Sequence, residues 1–173
     1  MTDKQQQILH CALELFSTEG YKGTSTSKIA NKAGVSEGLI FRHFKNKDGL
    51  LQAIIDNGNE RMATYVSPII AESDDKKRIE KAIRMPFNVP KRDYAYWKLI
   101  YSLKWQKGFY KKESMELLLA SLEDSFRNLG YENPHAEAEI IEITLDGIAT
   151  VILLKGMEEP EIILTQLLKK YNL

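Results

Sequence analysis

The sequence predicts an all-α protein of about nine helices. Apolar residues recur three and four positions apart along almost the whole chain, which is the spacing of one face of a helix. No stretch shows the alternation of apolar and polar residues that a half-buried strand needs. Cap residues, glycines and prolines divide the helical stretches from one another. At 173 residues the chain is long enough to bury a core in one domain or in two small ones.

Caps define the first three helices. The first helix is expected over residues 3–19, where apolar residues form a single face. Ser25 is placed to cap a second helix, and Gly34 ends it because glycine adopts a positive φ without a Cβ clash. Ser36 is placed to cap a third helix. Small alanines in the second helix allow the two short helices of residues 25–44 to cross closely, as a helix-turn-helix requires.

Prolines and glycines separate the later helices. Asn46 is placed to cap a long fourth helix, which Ser67 and Pro68 are expected to break because proline lacks the backbone N–H of a continuing helix. Five further helices are expected. The first is a charged helix ended by Pro86 and Pro90, and the second is an aromatic helix at about 92–107. The last three are a helix at about 111–129 before Gly130, a long apolar helix from Asn133-Pro134 to about 155, and a helix from Pro160 to about 171.

Charge is balanced overall but unevenly distributed. The chain has 24 basic and 24 acidic residues, and a net charge of zero argues against a general affinity for nucleic acid. Residues 22–47 contain six cations and the single anion Glu37, which gives a net charge of +5, so the other 147 residues carry −5. This distribution predicts a surface that attracts phosphate around the helix-turn-helix.

Cysteine content and hydropathy bear on the compartment. The single Cys11 excludes an internal disulfide and a cysteine-based zinc site, and it is expected to be a buried thiol in a reducing cytoplasm. No apolar stretch approaches the roughly 18 residues of a membrane helix, and the N-terminus lacks the pattern of a signal peptide. The chain is therefore expected to be cytoplasmic and to have no membrane partner.

The segment TSTSKIANKAGVSEGLIFRHF, residues 24–44, carries the most specific pattern in the chain. Together with FSTEGYKGTS before it and KNKDGLLQAII after it, this segment resembles the N-terminal domain of the TetR family of transcriptional regulators. The resemblance implies a helix-turn-helix DNA-binding domain at residues 1–47 and a helical effector-binding and dimerisation domain at 48–173. The residues that carry it are Phe16, Gly20, Tyr21, Thr24, Ile29, Ala30, Ala33, Gly34, Val35, Ser36, Gly38, His43, Phe44, Lys47 and Leu50.

Ten residues correspond to the positions at which the family usually contacts DNA, and the resemblance implies that role for them here. Hydroxyl and backbone N–H groups at helix N-termini attract phosphate. Arg42 suits a phosphate or a guanine edge, and Gly38 lets the helix approach the groove without a side-chain clash. The ten residues are Thr26, Val35, Ser36, Glu37, Gly38, Leu39, Phe41, Arg42, His43 and Lys47.

Three of these residues depart from the family pattern. Glu37 stands where a cation is frequent, and it either accepts a hydrogen bond from a cytosine amine or complements the helix dipole. Leu39 stands where small or polar residues are common, and it suits contact with a thymine methyl. Phe41 replaces the common tyrosine and therefore lacks a hydroxyl for phosphate. An ordinary solvated or core position is the alternative for each.

The weak affinity of a single short helix for DNA and the apolar C-terminal helices both predict a homodimer. One short helix binds DNA weakly, whereas two copies related by a twofold axis span two half-sites of an inverted-repeat operator. The helix within residues 136–156 and the last helix are apolar nearly all round, and the resemblance implies a four-helix bundle with a second subunit. An interior helix pair in a monomer is the alternative. The residues expected at the dimer interface are Ile141, Leu145, Ile148, Ile152, Ile163, Leu167 and Tyr171.

Aromatic residues recur about every four positions in the sixth predicted helix. Such a stripe suits a pocket for an apolar or aromatic small-molecule effector, and it equally suits a core. Both interpretations stay open at this point. The residues expected to line the pocket are Tyr94, Trp97, Tyr101, Trp105 and Phe109.

These patterns and the resemblance predict a sequence-specific DNA-binding regulator rather than an enzyme, and the resemblance implies a repressor that a small-molecule effector releases. The three histidines lie on three different predicted helices without metal-ligand spacing, so no metal or cofactor is expected. Glycine-rich phosphate loops and nucleophile elbows are absent from the sequence. A helical protein-interaction adaptor is the alternative, although an adaptor has no use for a positive patch around a capped helix.

Overall fold

The computed structural model describes residues 1–104 and 113–173. Within these ranges every regular element is helical, which confirms the predicted all-α fold. The nine α-helices there are α1 (Asp3–Glu19), α2 (Thr26–Ala33), α3 (Glu37–Phe44), α4 (Lys47–Ile70), α5 (Asp75–Arg84), α6 (Tyr94–Leu103), α7 (Glu113–Asn128), α8 (Pro134–Thr150) and α9 (Pro160–Lys170). No helix in the described part of the chain is long and apolar enough to cross a membrane.

Short helical turns of other types join some of these elements. Two 3₁₀ turns, Met85–Asn88 and Lys91–Asp93, separate α5 from α6, so the aromatic helix begins at Tyr94 rather than near residue 92. A π-helical turn, Val151–Lys155, continues α8 to the point at which the sequence predicts its end. The predicted end of the aromatic helix near 107 and the predicted start of the next helix near 111 fall outside the described residues.

The chain forms two compact units that do not follow chain order. In the described ranges, the first unit comprises residues 1–60 and 91–104, and the second comprises residues 61–90 and 113–173. The sixth helix therefore packs with the N-terminal helices, and α1 contacts both α2 and α6. The predicted division into a DNA-binding domain and an effector domain after residue 47 stays a prediction.

The first unit is built around the apolar face of α1. Ile8, Ala12 and Phe16 are almost completely buried, as the helical spacing of the sequence predicts. Cys11 is also buried, and burial raises the pKa of its thiol. A capping box stabilises the start of α1, because Thr2 and Gln5 exchange hydrogen bonds between side chain and backbone.

The caps of the two short helices are confirmed at two positions and wrong at a third. The Ser25 hydroxyl accepts a hydrogen bond from the Lys28 N–H at 3.1 Å, and Gly34 adopts the left-handed conformation with a φ of 62°. Ser36 occupies the N-cap position, but its hydroxyl makes no capping bond. The N–H of Leu39, which that hydroxyl would cap, donates instead to the Ser36 carbonyl at 3.0 Å.

The fourth helix begins as predicted and ends later than predicted. The Asn46 side chain accepts a hydrogen bond from the Gly49 N–H at 2.7 Å. The helix passes through Pro68 and reaches Ile70, so the expected break at Ser67-Pro68 is wrong. Because Pro68 stands in the last turn, its missing N–H removes one hydrogen bond, and its fixed φ is compatible with a helix. The Ala71 N–H still donates to the Ser67 carbonyl at 2.9 Å.

The second unit is held by a large apolar cluster and a half-buried arginine. Buried residues of α4, α5, α7, α8 and α9 form the cluster, which includes the fully buried Phe126. The guanidinium of Arg78 on α5 donates to the Asp75 carboxylate at 2.9 Å and to the fully buried hydroxyl of Ser125 on α7 at 2.6 Å. It also donates to the backbone carbonyl of Glu72 after α4. The helix starts predicted for this unit at Asn133-Pro134 and Pro160 are confirmed.

A glycine inside α4 allows the sixth helix to approach the fourth closely. A Cβ atom placed on Gly58 would overlap the ring of Tyr96, which is 4% exposed. Glycine in a helix interior costs about 1 kcal/mol relative to alanine. Its presence at this position is therefore explained by packing rather than by helix propensity.

Gly58→Ala is expected to destabilise the protein by about 2 kcal/mol, because overpacking against a buried ring outweighs the gain in helix propensity. Urea unfolding monitored by circular dichroism measures this difference. Gly38→Ala in α3 is the control, because a Cβ there meets no atom within 4 Å. An alanine variant at position 58 as stable as the parent would contradict the proposed clash.

Candidate nucleic-acid interface

The helix-turn-helix buries one face of α3 and exposes the other. Ile40 is fully buried and Phe44 is 8% exposed, whereas Phe41 is 46% exposed and Arg42 is exposed. Ser36 and Gly38 are exposed at the start of the same face. The large exposed aromatic ring at position 41 excludes a core role for that residue. This arrangement makes α3 a short helix, called the rod below, with one face exposed to solvent.

Two ion pairs reduce the positive charge around this rod. Lys28 contacts the Glu19 carboxylate at 2.5 Å, and Lys32 contacts the Glu14 carboxylate at 2.7 Å. Both carboxylates belong to α1, outside residues 22–47, so the local net charge falls from +5 to +3 when they are counted. Surface pairs of this kind contribute little to stability, but they occupy the two lysines.

Three cations of the segment stay available for an anion. The side chains of Lys22, Arg42 and Lys45 make no hydrogen bond or ion pair with any residue that the structure describes. Arg42 lies in the last turn of α3, and Lys45 follows directly at its C-cap. Positive charge at a helix C-terminus is also favoured by the helix dipole.

Lys47 is held by the fold. Its ammonium donates to the backbone carbonyls of Tyr21 and Thr24, both at 3.0 Å, and lies 4.5 Å above the centre of the Tyr21 ring. Two of its three N–H donors are thereby used within the protein. The Tyr21 hydroxyl in turn donates to the Asp48 carboxylate, and burial followed by this contact raises the pKa of the tyrosine. Contact of Lys47 with DNA stays a prediction.

His43 is oriented by a residue that the sequence analysis missed. The Gln5 side-chain carbonyl accepts a hydrogen bond from the Thr2 N–H at 2.8 Å, which turns the amide nitrogen of Gln5 toward His43 Nδ1 at 3.3 Å. Because an amide nitrogen only donates, Nδ1 is the acceptor and the imidazole carries its proton on Nε2. The pattern Thr2-x-x-Gln5 is a capping-box signal, so the sequence contained a clue to the position of Gln5.

Thr26 and Glu37 contact each other directly. The Thr26 hydroxyl at the first position of α2 donates to Glu37 Oε1 at the first position of α3, at 2.5 Å. Both residues are half-buried. Val35 and Leu39, the remaining predicted contacts, are half-buried as well. The ten predicted residues therefore lie on or beside α2 and α3. Some of their side chains are held by hydrogen bonds within the protein, and others are not.

The candidate pocket residues fall into three groups. Trp97 is 6% exposed and packs edge-on against Tyr96 with 4.9 Å between ring centres, so it is a core residue. Tyr94 and Tyr101 are half-buried, and the Lys104 ammonium lies 5.0 Å from the centre of the Tyr101 ring. Trp105 and Phe109 lie outside the described residues. A pocket on this helix stays a prediction.

Burial separates the apolar residues of α8 and α9 into a buried set and an exposed set, and the role of the predicted residues at a dimer interface stays a prediction. Ile141, Leu145 and Ile148 are at most 8% exposed and face the interior of the second unit, and Tyr171 is also buried. Ile152 and Leu167 are half-buried, and only Ile163 among the predicted dimer residues is exposed. The helical period of the sequence contains two apolar stripes, and the one assigned to a partner packs within the chain. On α8, its π-helical turn and α9, the exposed large apolar residues are Ile140, Ile143, Leu154, Ile162 and Ile163.

Comparison with known proteins agrees with this architecture. The family profile described as "Bacterial regulatory proteins, tetR family" matches residues 8–54. YvkB, an uncharacterized HTH-type transcriptional regulator of Bacillus subtilis strain 168, is 47% identical over 55 residues, which cover 32% of this chain and 29% of that protein. The chain spans between 29% and 46% of the length of four such curated relatives.

Solved structures match over almost the whole chain. A TetR-like transcriptional regulator from Rhodococcus sp. RHA1 has a TM-score of 0.80 at 19% identity, over 98% of this chain and 95% of that one. AibR in complex with isovaleryl coenzyme A and operator DNA has a TM-score of 0.72 at 19% identity, over 97% of each chain. At this level of identity the likeness establishes the fold.

Lys47→Met is expected to lower the free energy of unfolding by about 1–2 kcal/mol, because two backbone carbonyls lose a charged donor. Lys45→Met is the matched control and is expected to change stability by less than about 0.5 kcal/mol, since it removes an exposed cation. Urea midpoints of the two variants measure the difference. Equal midpoints would contradict a structural role for the ammonium at position 47.

Proposed function

The chain is a member of the TetR family of bacterial regulatory proteins, and we propose that it is a sequence-specific DNA-binding transcriptional regulator that acts as a repressor. One observation carries the proposal: the segment that matches the family profile folds into a helix-turn-helix whose second helix has an open face. The regulators among its relatives support this reading over an enzyme or an adaptor.

Reading of DNA is proposed for the open face of α3. A recognition helix lies in the major groove with its N-terminal residues at base edges. In this chain those residues are Ser36, Glu37 and Gly38, followed one turn later by Phe41 and Arg42. The unbonded cap hydroxyl of Ser36 is free to donate to a phosphate, and the Nε2–H of His43 supplies a second neutral donor.

We propose that the protein binds an inverted-repeat operator as a homodimer. The support is the open apolar surface on α8, its π-helical turn and α9, where Ile143 is 72% exposed. Contiguous apolar surface on a soluble protein commonly marks an interaction site. Gly147 lies exposed on the same helix, and a Cβ there meets no atom within 4 Å, so a second helix can approach the backbone closely.

We propose a small-molecule effector that releases the operator. AibR has been solved with both an acyl-coenzyme A and operator DNA, which makes such dual binding plausible for this fold. The partly open rings of Tyr94 and Tyr101 favour an apolar or aromatic ligand. Effector binding would shift the population away from the form that binds DNA, with a coupling of about 1–3 kcal/mol. A cytoplasmic location is proposed with this function.

Selection of bound fragments from random DNA by the purified full chain tests the function. An enriched inverted repeat is the expected result, and gel shifts on that repeat are expected to give a complex with two subunits. Absence of any enriched sequence would contradict a sequence-specific regulator.

The salt dependence of operator binding is expected to follow Lys22, Arg42 and Lys45, the three cations of residues 22–47 whose side chains have no partner among the described residues of each subunit. If all of them neutralise phosphates in a dimer, the slope of log affinity against log salt is about −5. Lys45→Ala is expected to reduce the magnitude of that slope by about 2. Lys32→Ala is the matched control, because Glu14 already pairs with that lysine, and it is expected to reduce the slope less. Anisotropy titrations across a salt series measure both, and equal reductions would refute the assignment.

Ile143→Glu is expected to convert the dimer to a monomer, because a carboxylate in an apolar interface loses its hydration without gaining a partner. Leu117→Glu on α7 is the matched control, since Leu117 is 65% exposed on a helix outside the proposed interface. Sedimentation velocity measures the mass of both variants. A dimeric variant at position 143 would exclude this surface from the interface.

A further inference from the structure

The only anion of residues 22–47 is fixed in place by a hydrogen bond. Glu37 opens α3 at the end that a recognition helix directs toward base edges. The hydroxyl of Thr26 donates to Glu37 Oε1 at 2.5 Å and so connects the carboxylate to the first turn of α2. A glutamate on a helix surface is otherwise free to rotate about three bonds. Here one oxygen atom is positioned by the neighbouring helix.

Resting on the proposed DNA-binding function, we propose that Glu37 is a specificity-determining residue that reads a cytosine amino group, and that Thr26 is the residue that positions it. An ionised carboxylate only accepts hydrogen bonds. Thr26 occupies one lone pair of Oε1, which leaves Oε2 free for a donor in the groove.

The chemistry of the major groove selects the base. Guanine presents two acceptors there and thymine presents one, so both oppose a carboxylate. Cytosine presents the N4 amine as a donor, whereas adenine places the N7 acceptor beside its N6 amine. A carboxylate is therefore matched best by cytosine. The DNA phosphates also repel the carboxylate, and this repulsion lowers the affinity at every other base. Specificity of this kind depends on the rejection of other bases as much as on the attraction of cytosine.

The same contact changes the role of Thr26. Its single hydroxyl proton is used on Glu37, so the hydroxyl does not donate to a phosphate while the bond is present. The family position at which Thr26 stands thus acts through another residue in this chain. A brace between α2 and α3 without any base preference is the competing explanation, and the experiment separates the two.

Selection from random DNA is carried out in parallel with the parent chain and with Glu37→Gln, Thr26→Val, Thr26→Ser and Glu14→Gln. The parent is expected to prefer cytosine at one position of each half-site. Glu37→Gln is expected to lose that preference by about tenfold and to favour adenine at the same position, because a glutamine amide pairs with adenine N6 and N7. Thr26→Val is expected to weaken the preference, and Thr26→Ser is expected to retain it.

Glu14→Gln is the matched control for charge. It also removes one negative charge from the helix-turn-helix region, on an ion pair of α1 and α2, and it is expected to raise affinity for all sequences without changing base preference. Unchanged base preferences in Glu37→Gln and Thr26→Val would identify the contact as a brace and overturn the proposal. A change in Glu37→Gln alone would overturn the positioning role of Thr26. A parent chain that selects no sequence would instead refute the regulator function itself.

Discussion

The eight residues of α3 are too few to keep a helical shape alone, and this constraint governs the N-terminal unit. An isolated helix shorter than about 12 residues is marginal in water, because nucleation costs more than its few hydrogen bonds return. The helix therefore depends on the burial of Ile40 and Phe44 against its neighbours. Gly34, in the left-handed conformation, sets the direction in which the chain leaves α2. The face left in solvent is a consequence of this packing.

Polar side chains around that face have two different roles. Lys47 and Gln5 bond to groups of the fold and hold the turn after α1 and the ring of His43. The side chains of Arg42 and Lys45 have no partner among the described residues and are available to a ligand. Groups held before binding lose less conformational entropy on binding. A segment with the same formal charge but without these internal bonds would attract an anionic ligand equally. Its side chains, however, would not be held in a fixed geometry.

Sequence patterns predicted the helices of this protein better than the contacts between those helices. Apolar spacing predicted α1, and Ser25 and Gly34 predicted the bounds of α2, because those signals act within a few residues. The predicted break at Pro68 was wrong because a proline removes one backbone hydrogen bond from a helix but keeps a helical φ, so the helix can continue past it. Helical periodicity identified the apolar stripes of α8 but not their partners, so it did not separate the buried stripe from the exposed one. The Glu14 and Glu19 carboxylates neutralise lysines from a different helix, and sequence spacing does not reveal such pairs.

The contact between Gly58 and Tyr96 has a consequence for the evolution of this chain. Position 58 is not free to change by itself, since any larger residue there needs a smaller one at 96. Substitutions at the two sites should therefore be inherited together in descendants of this sequence. An alignment of close orthologues would register the pair as a covarying couple joining two helices that are distant along the chain.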